Sequence, residues 1–223
     1  MTGPDEPTAY EEFGAAYWED RYRSGEGTSK HDPSPSLVTE TSGLTPGRAL
    51  DAGCGVGGDA LWLAAHGWQV TAVDISLTAL EQGRRAAQAA GPAFAERIEW
   101  VHGDLTTRDP GQREFDLVSS HHVHVPGPPE LLFRRLASWV QPGGTLLVVG
   151  HDGGHGHQHG HGHAHPPGAQ VRAAQIVSGL PEDQWDVVVA ESRTHTVQRP
   201  DGGGPVTLDD VVVRALRPPA TQP

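Results

Sequence analysis

Three acidic residues of this 223-residue chain each stand at or just beyond the end of a short apolar segment. They are Asp51, Asp74 and Asp104. A carboxylate in such a place can accept hydrogen bonds from ribose hydroxyls or attract a cationic group. A single acid there is commonly a turn or cap residue. Three of them beside a glycine turn indicate a ligand site.

The first of these segments runs into a glycine-rich turn. Four glycines fall within the six positions from Gly53 to Gly58, and a run of good helix formers follows. Glycine allows positive φ and close approach of a ligand to the backbone. A helix N-terminus presents free N–H groups at the positive end of its dipole. The turn therefore predicts a socket for a polar or negatively charged ligand.

Two cofactor classes fit this socket. Gly53, Gly55 and Gly58 satisfy the dinucleotide pattern G-x-G-x-x-G, and Asp74 lies near the spacing of a ribose-binding acid. Asp51 favours another ligand, because a carboxylate two residues before the first glycine would crowd a pyrophosphate. It suits a ligand with a positive charge and no phosphate. The stretch Asp-Ala-Gly-Cys-Gly-x-Gly from Asp51 resembles the first motif of class I S-adenosylmethionine (SAM) methyltransferases.

The resemblance implies a role for each strand end. Gly53 and Gly55 would contact the methionine part of SAM, and Asp51 would lie near its amino group. Asp74 would bind the ribose hydroxyls, while Asp104 would accept from the adenine amino group and Leu105 would line the adenine edge. The full set of predicted cofactor-binding residues is Trp18, Tyr22, Asp51, Gly53, Cys54, Gly55, Asp74, Ile75, Gly103, Asp104, Leu105, Ser119 and Ser120.

Histidines follow the fourth predicted strand, where this family lines the reacting methyl group. His121 is the first candidate for a general base or substrate contact, with His122 and His124 as alternatives. Ordinary hydrogen bonding that stabilises the loop would also explain all three.

Half of the 14 histidines lie between His151 and His165, most of them alternating with glycine. Such a sequence cannot build a core, so it predicts a flexible loop. Three interpretations stand side by side: a neutral insert, adventitious or regulatory metal binding, and a catalytic metal site. The predicted ligands for zinc or nickel are His155, His157, His159, His161 and His163.

Strand-like and helical patterns alternate along the middle of the chain, which is typical of a parallel sheet covered by helices on both faces. We predict an α/β, doubly wound, mostly parallel seven-stranded sheet that ends in an antiparallel hairpin. Predicted strands cover 48–52, 68–74, 98–102, 115–119, 144–150, 186–197 and 206–216, and the main helices cover 57–66, 76–90 and 128–140.

The segment before the first strand carries aromatic residues at helical spacing. A helix is predicted over residues 8–23, with Thr8 and Glu11 as a capping box. Its stretch 17–22 resembles the helix that closes the site in many small bacterial SAM methyltransferases. We therefore expect residues 1–47 to form a helical lid segment and residues 48–223 to form the SAM-binding domain.

The composition and charge of the chain exclude some classes of binding partner. With 28 acidic and 16 basic residues the formal charge is −12, and no basic patch for nucleic acid is visible. No apolar run approaches a bilayer span, and one cysteine permits no intrachain disulfide. We predict a cytoplasmic monomer or homodimer that binds neither nucleic acid nor membrane.

The predicted function is methyl transfer from SAM to a small-molecule acceptor through oxygen, nitrogen, sulfur or a metalloid. The alternative is a non-enzymatic metal-binding or SAM-sensing protein on the same fold. A nicotinamide dehydrogenase is a third and more distant hypothesis.

Overall fold

The computed structural model describes residues 13–25, 31–108, 114–152, 169–198 and 205–220. Its strands are β1 Arg48–Ala52, β2 Gln69–Asp74, β3 Ile98–His102, β4 Phe115–His121, β5 Val140–Asp152, β6 Gln170–Val171, β7 Asp186–Gln198 and β8 Pro205–Leu216. Its helices are α1 Ala15–Ser24, α2 Pro35–Thr41, α3 Gly58–Ala65, α4 Leu77–Ala90, α5 Pro92–Ala95, α6 Pro129–Ser138 and α7 Ala173–Ser178, with a 3₁₀ turn at Glu182–Gln184.

The strands form one sheet in the order β3-β2-β1-β4-β5-β8-β7, and the short β6 pairs with β5. Strands β1 to β5 run parallel, whereas β8 is antiparallel to both of its neighbours. The predicted α/β class and the terminal hairpin are confirmed. The two-residue β6 is an addition to the predicted strands.

Adjacent apolar residues in the central strands supply both faces of the sheet. Val118 and Leu146 pack on one face, and their chain neighbours Leu117 and Leu147 pack on the other. All four are buried. Near-continuous apolar runs of this kind are expected where helices cover both faces of a parallel sheet. The two resulting cores hold the strand ends in fixed relative positions.

Several element boundaries differ from the predicted ones, most clearly at β5. The fifth strand is predicted to begin at residue 144, but β5 already begins at Val140, which pairs with Phe115 of β4. Gly143 donates its backbone N–H to the carbonyl of Arg217 at 2.8 Å, so the segment is hydrogen-bonded to the end of the hairpin. Strand β4 also extends two residues further, to His121.

The strand order reverses beside β1, which lies between β2 and β4. Helices α3 and α4 begin directly after β1 and β2. In open α/β sheets a ligand binds in the crevice at the carboxyl ends of the strands, next to such a reversal. The fold therefore places the glycine turn at the crevice.

Helix α2 is joined to the C-terminal hairpin by a buried carboxylate. Glu40 Oε1 lies 2.7 Å from Arg193 Nη2 of β7, and Glu40 Oε2 lies 3.3 Å from Arg214 Nε of β8. Leu37 of the same helix is fully buried in the core. Residues 35–41 are thus packed into the domain, while the division of the chain at residue 47 stays a prediction.

Helix α1 is held against the start of α4 by Glu19. Its Oε2 accepts hydrogen bonds from Ser76 Oγ at 2.7 Å and from the Thr78 backbone N–H at 3.2 Å. Its Oε1 accepts from Thr78 Oγ1 at 2.5 Å. The hydrogen bonds from Thr78 and Ser76 lower the pKa of Glu19 to about 2. The predicted cap residues Thr8 and Glu11 lie outside the described residues.

We expect Glu19→Gln to loosen α1. Charge-assisted hydrogen bonds at a partly exposed carboxylate contribute roughly 1 kcal/mol, or about fivefold in an opening equilibrium. Amide hydrogen exchange at neutral pH should accelerate for Ala15–Ser24. Because the pKa is lowered in the folded protein, the same stabilisation is present above about pH 4.5 and is lost as the pH falls toward about 2.

Glu81→Gln is the matched control, because Glu81 is an exposed glutamate on α4 that pairs only with Arg85 among the contacts described for it. Equal exchange of α1 in both variants would contradict the role of Glu19.

Candidate active site

The turn between β1 and α3 depends on glycine backbone geometry. Gly53, Gly55 and Gly57 have φ values of 77°, 52° and 83°, in the left-handed region that other residues seldom adopt. The backbone N–H groups of Gly53 and Cys54 donate to the carbonyl of Val73 at 2.8 and 3.0 Å. These bonds fix the turn to the end of β2.

Asp74 joins the same turn to α4. Its Oδ2 accepts from the Gly55 backbone N–H and its Oδ1 from the Ser76 backbone N–H, both at 2.8 Å. Burial raises the pKa of Asp74, and these backbone N–H groups partly offset that effect. The predicted ribose-binding acid is therefore positioned by two elements of the fold.

Asp51 is buried at the end of β1, with only 2% of its surface exposed. Its Oδ2 has no hydrogen-bond partner within the described part of the chain. Burial, followed by the nearby Asp59 carboxylate, raises the pKa of Asp51 to about 8. A buried carboxyl oxygen without a partner is costly, so this position fits a cationic group of a ligand.

His121 at the end of β4 is paired with Asp59 at the start of α3. His121 Nδ1 lies 2.5 Å from Asp59 Oδ2, and Asp59 Oδ1 accepts from the Ser34 backbone N–H at 2.6 Å. Burial opposes a charge on His121, but the Asp59 carboxylate outweighs it and the pKa of His121 is raised. The pKa of Asp59 is lowered in turn, because His121 outweighs the effect of its burial.

Neither ring nitrogen of His121 makes a hydrogen bond of good geometry within the described ranges, but Nδ1 lies at ion-pair distance from Asp59, whereas Nε2 is buried without a partner. A carboxylate that holds Nδ1–H of an imidazole leaves Nε2 as the basic nitrogen. Sequence reasoning missed Asp59, because an acid in the first turn of a helix is already explained by the helix dipole.

The two other candidate histidines point elsewhere. His122 has a φ of 52°, and its Nε2 lies 3.6 Å from Asp210 Oδ2 of β8. Burial lowers the pKa of His122 to about 3, helped by the neighbouring His151. The ring of His124 stacks on Trp18 of α1 at 6.1 Å between centroids. His121 is the one of these three histidines that pairs with Asp59, and its charge acts on the neighbouring Asp51.

Helix α1 and the segment after β4 cover the glycine turn. A β-carbon added at Gly55 would lie 2.7 Å from Tyr22 Oη, and one added at Gly53 would collide with Val123. Trp18 Nε1 donates to the carbonyl of His124 at 3.3 Å, which links the two covering segments. Burial raises the pKa of Tyr22, with a further contribution from Asp74.

The remaining predicted cofactor residues have varied surroundings. Asp104 Oδ1 accepts from the backbone N–H and hydroxyl of Thr106 at 2.8 and 2.6 Å, as in a local turn. Leu105 packs in the core, and the Ser119 hydroxyl donates to the carbonyl of Leu50 at 3.4 Å. The others are Cys54, whose thiol pKa is raised by burial, Ile75, Gly103 and the buried Ser120. Their roles toward the cofactor stay predictions.

The predicted metal ligands His155, His157, His159, His161 and His163 all lie outside the described residues. The structure brings together a different group, His122, His151 and Asp210, whose ligating atoms lie within 4.8 Å of one another.

Comparison with known proteins agrees with this geometry. Residues 49–144, which include the glycine turn and strands β2 to β4, match the family model described as a methyltransferase domain. The part of the chain that is similar to a methyltransferase domain spans 96 of its 223 residues.

Curated relatives match this chain over part of their length. A probable thiol methyltransferase 2 of Arabidopsis thaliana is 29% identical over 138 residues, which cover 59% of this chain and 60% of the relative. A ribosomal RNA small subunit methyltransferase C of Alcanivorax borkumensis is 34% identical over 110 residues, covering 47% and 32%. The chain thus spans less than two thirds of either relative.

Solved structures share the fold over nearly the whole chain. A protein solved for the conversion of a disulfide bond into a thioacetal group during echinomycin biosynthesis has a TM-score of 0.68 at 22% identity, covering 93% of this chain and 94% of that one. The glycopeptide N-methyltransferase MtfA in complex with SAM has a TM-score of 0.58 at 18% identity, covering 84% and 95%. Within the described residues, no helix is both long and apolar enough to cross a bilayer.

We expect Asp51→Asn to stabilise the ligand-free protein. The folded protein holds the Asp51 proton up to about pH 8, whereas the unfolded chain releases it near pH 3.8. Wild-type stability therefore falls as the pH rises through this window. The asparagine variant lacks that loss, so its advantage in melting temperature should grow between pH 4 and pH 8.

Asp20→Asn is the control, since Asp20 is an exposed acid on α1. Parallel stability curves for wild type and Asp51→Asn across this pH range would refute the assignment of a buried, protonated Asp51.

Proposed function

We propose that this protein transfers a methyl group from SAM to a small-molecule acceptor. The observation that carries the proposal is the left-handed glycine turn flanked by buried Asp51 and Asp74. Their arrangement suits a ligand that combines a cationic amino acid part with a ribose. A pyrophosphate beside Asp51 would meet a carboxyl group instead of free N–H donors.

The proposed cofactor lies along the carboxyl ends of β1, β2 and β3. Gly53 and Gly55 would contact its methionine part, and Asp51 would hold its ammonium group and ionise on binding. Asp74 would bind the ribose hydroxyls, and Asp104 would lie beside the adenine. Because Tyr22 and Val123 occupy the space above the glycines, both side chains move when SAM enters.

We propose that α1 acts as a lid over this cofactor. Glu19 attaches it to α4 at one point, and the Trp18–His124 hydrogen bond attaches it to the segment after β4. Closure of such a lid aligns the reactants and removes water from the reacting centre. Bound SAM would supply an activated methyl group, and alignment and exclusion of water by the lid would contribute most to its transfer.

His121 is the proposed general base. Asp59 holds Nδ1, and the buried Nε2 is left to accept a proton from the acceptor. This role matters only for acceptors that must lose a proton, such as a thiol or a phenol. Asp59 is a positioning residue, since it acts through His121.

Size and charge support a small-molecule acceptor. The net charge of −12 disfavours a phosphate-rich partner, although one relative bears the name of a ribosomal RNA methyltransferase. The thiol methyltransferase and thioacetal names of two similar proteins favour sulfur as the first acceptor to test. A cytoplasmic monomer or homodimer stays the prediction for the state of the protein.

The test is titration calorimetry with SAM, followed by a transfer screen with methyl-labelled SAM. Acceptors would include thiols, amines, hydroxyls, selenium and tellurium oxyanions, and a ribosomal RNA fragment. We expect SAM binding that releases protons near pH 7, and label in at least one small acceptor. SAM binding with label in none of these acceptors would support the SAM-sensing alternative. Binding of NADH in place of SAM would overturn the proposal.

We expect His121→Gln to lower kcat by about 10²- to 10⁴-fold for a proton-bearing acceptor, the usual contribution of a general base. SAM affinity should change far less than kcat, because His121 influences the proposed cofactor site only through its charge near Asp51. Asp59→Asn should lower kcat less, again with a smaller change in SAM affinity. Steady-state kinetics and calorimetry measure the two effects separately.

His66→Gln is the matched control, because His66 is an exposed histidine at the end of α3. An acceptor that is already ionised should respond little to His121→Gln. Full turnover of a proton-bearing acceptor by His121→Gln would exclude the catalytic role.

A further inference from the structure

Four neighbouring strands bring three histidines to one buried carboxylate outside the cofactor site. His122 directly follows β4, and its backbone N–H donates to the carbonyl of Val149 in β5 at 2.8 Å. His151 of β5 is paired directly with Asp210 of β8. His195 of β7 pairs with Leu208, two positions from Asp210 along β8 and therefore on the same face of the sheet.

The side chains converge on the Asp210 carboxylate. Oδ2 lies 3.6 Å from His122 Nε2 and 3.4 Å from His195 Nδ1, and Oδ1 lies 3.7 Å from His151 Nδ1. Only 7% of the Asp210 side chain is exposed. Donors bound to one tetrahedral zinc at about 2.0–2.1 Å lie roughly 3.4 Å apart. The distances to Asp210 are close to this value, and the ligating atoms of His122, His151 and Asp210 all lie within 4.8 Å of one another.

The two imidazoles are held together by the fold. The rings of His122 and His151 stack at 4.2 Å between centroids, with 23° between their planes. Two cationic rings at this separation would repel, whereas neutral rings are the form that binds metal. His122 has a left-handed φ of 52°, and its ring lies beside Asp210. Such strained backbone persists where surrounding contacts enforce it, often at ligand sites.

We propose that His122, His151 and Asp210 bind one divalent first-row transition cation, represented by zinc, and that His195 positions Asp210 from outside. Two imidazole nitrogens and one carboxylate oxygen suit zinc, cobalt or nickel and are a poor set for magnesium or calcium. Three protein ligands leave a fourth position open to water or another small ligand. The site lies one residue beyond His121 and draws on none of the cofactor contacts.

The proposed site must be distinguished from the histidine-rich segment 155–163, which follows His151 in the chain. We would prepare the full-length chain without an affinity tag, remove metal with a chelator, and titrate it with zinc by calorimetry and with cobalt by visible absorption. Variants His151→Gln and Asp210→Asn alter the cluster. A five-fold variant with glutamine at 155, 157, 159, 161 and 163 leaves the cluster intact.

We expect one tight equivalent of metal in the wild type and in the five-fold variant. Mutation of a residue that only orients a metal ligand usually lowers metal affinity about 10- to 100-fold, and we expect a loss in that range for His195→Gln. The cluster variants His151→Gln and Asp210→Asn should lose more affinity than this. Cobalt should give the strong visible bands of a four-coordinate nitrogen and oxygen site only where the cluster is intact. Zinc should raise the melting temperature of the same two proteins.

Melting curves and far-ultraviolet circular dichroism of the metal-free variants identify any that fail to fold, and His122→Gln then serves as the second cluster variant. Tight binding that survives in the cluster variants and disappears in the five-fold variant would overturn the proposal. So would the absence of a tight equivalent in every protein. Both readouts are independent of SAM, so they stand apart from the test of methyl transfer.

Discussion

Carboxyl groups held out of water where β1, α3 and β2 meet are the constraint on which the site depends. Each is accommodated differently. Asp74 accepts two backbone N–H groups, and Asp59 is paired with His121. Asp51 keeps one oxygen without a partner in the described chain and a raised pKa. The Asp51 oxygen without a partner destabilises the ligand-free protein, and a bound cation relieves this destabilisation. The free energy lost from stability is then gained in affinity for the ligand.

Helix α1, which covers the glycine turn, is held in place by contacts in the same region. Tyr22 lies over Gly55 because the glycine has no side chain, and Glu19 fixes α1 to the first turn of α4 beside Asp74. The lid is thus attached to the elements that form the proposed ribose site. Movement of α1 and binding of the cofactor are expected to be coupled through these contacts.

Local patterns predicted most of this architecture. The glycine turn, Asp51 and Asp74 are visible in the sequence because their spacing along the chain is itself the signal. Asp59 was not predicted, since its partner His121 lies 62 positions away and only the β1–β4 pairing brings α3 beside it. Asp210 depends in the same way on the register of β5 with β8. The hint available in the sequence was an acid directly before three valines of a predicted strand.

The three histidines after β4 show the same limit of prediction from sequence, here for residues that are close together in the chain. The sequence places them together, but their side chains meet different partners, and the backbone is left-handed at His122. His121 contacts Asp59, His122 contacts Asp210, and His124 stacks on Trp18. Backbone conformation at one residue thus divides one motif among three environments.

The most direct measurement is a crystal structure of the protein with S-adenosylhomocysteine. The account predicts its amino group within hydrogen-bond distance of Asp51, its ribose hydroxyls on Asp74, and its sulfur on the side of His121 Nε2. Tyr22 should be displaced from its position above Gly55. A ligand that binds away from the glycine turn, or an Asp51 that stays without a cationic partner in the complex, would contradict it.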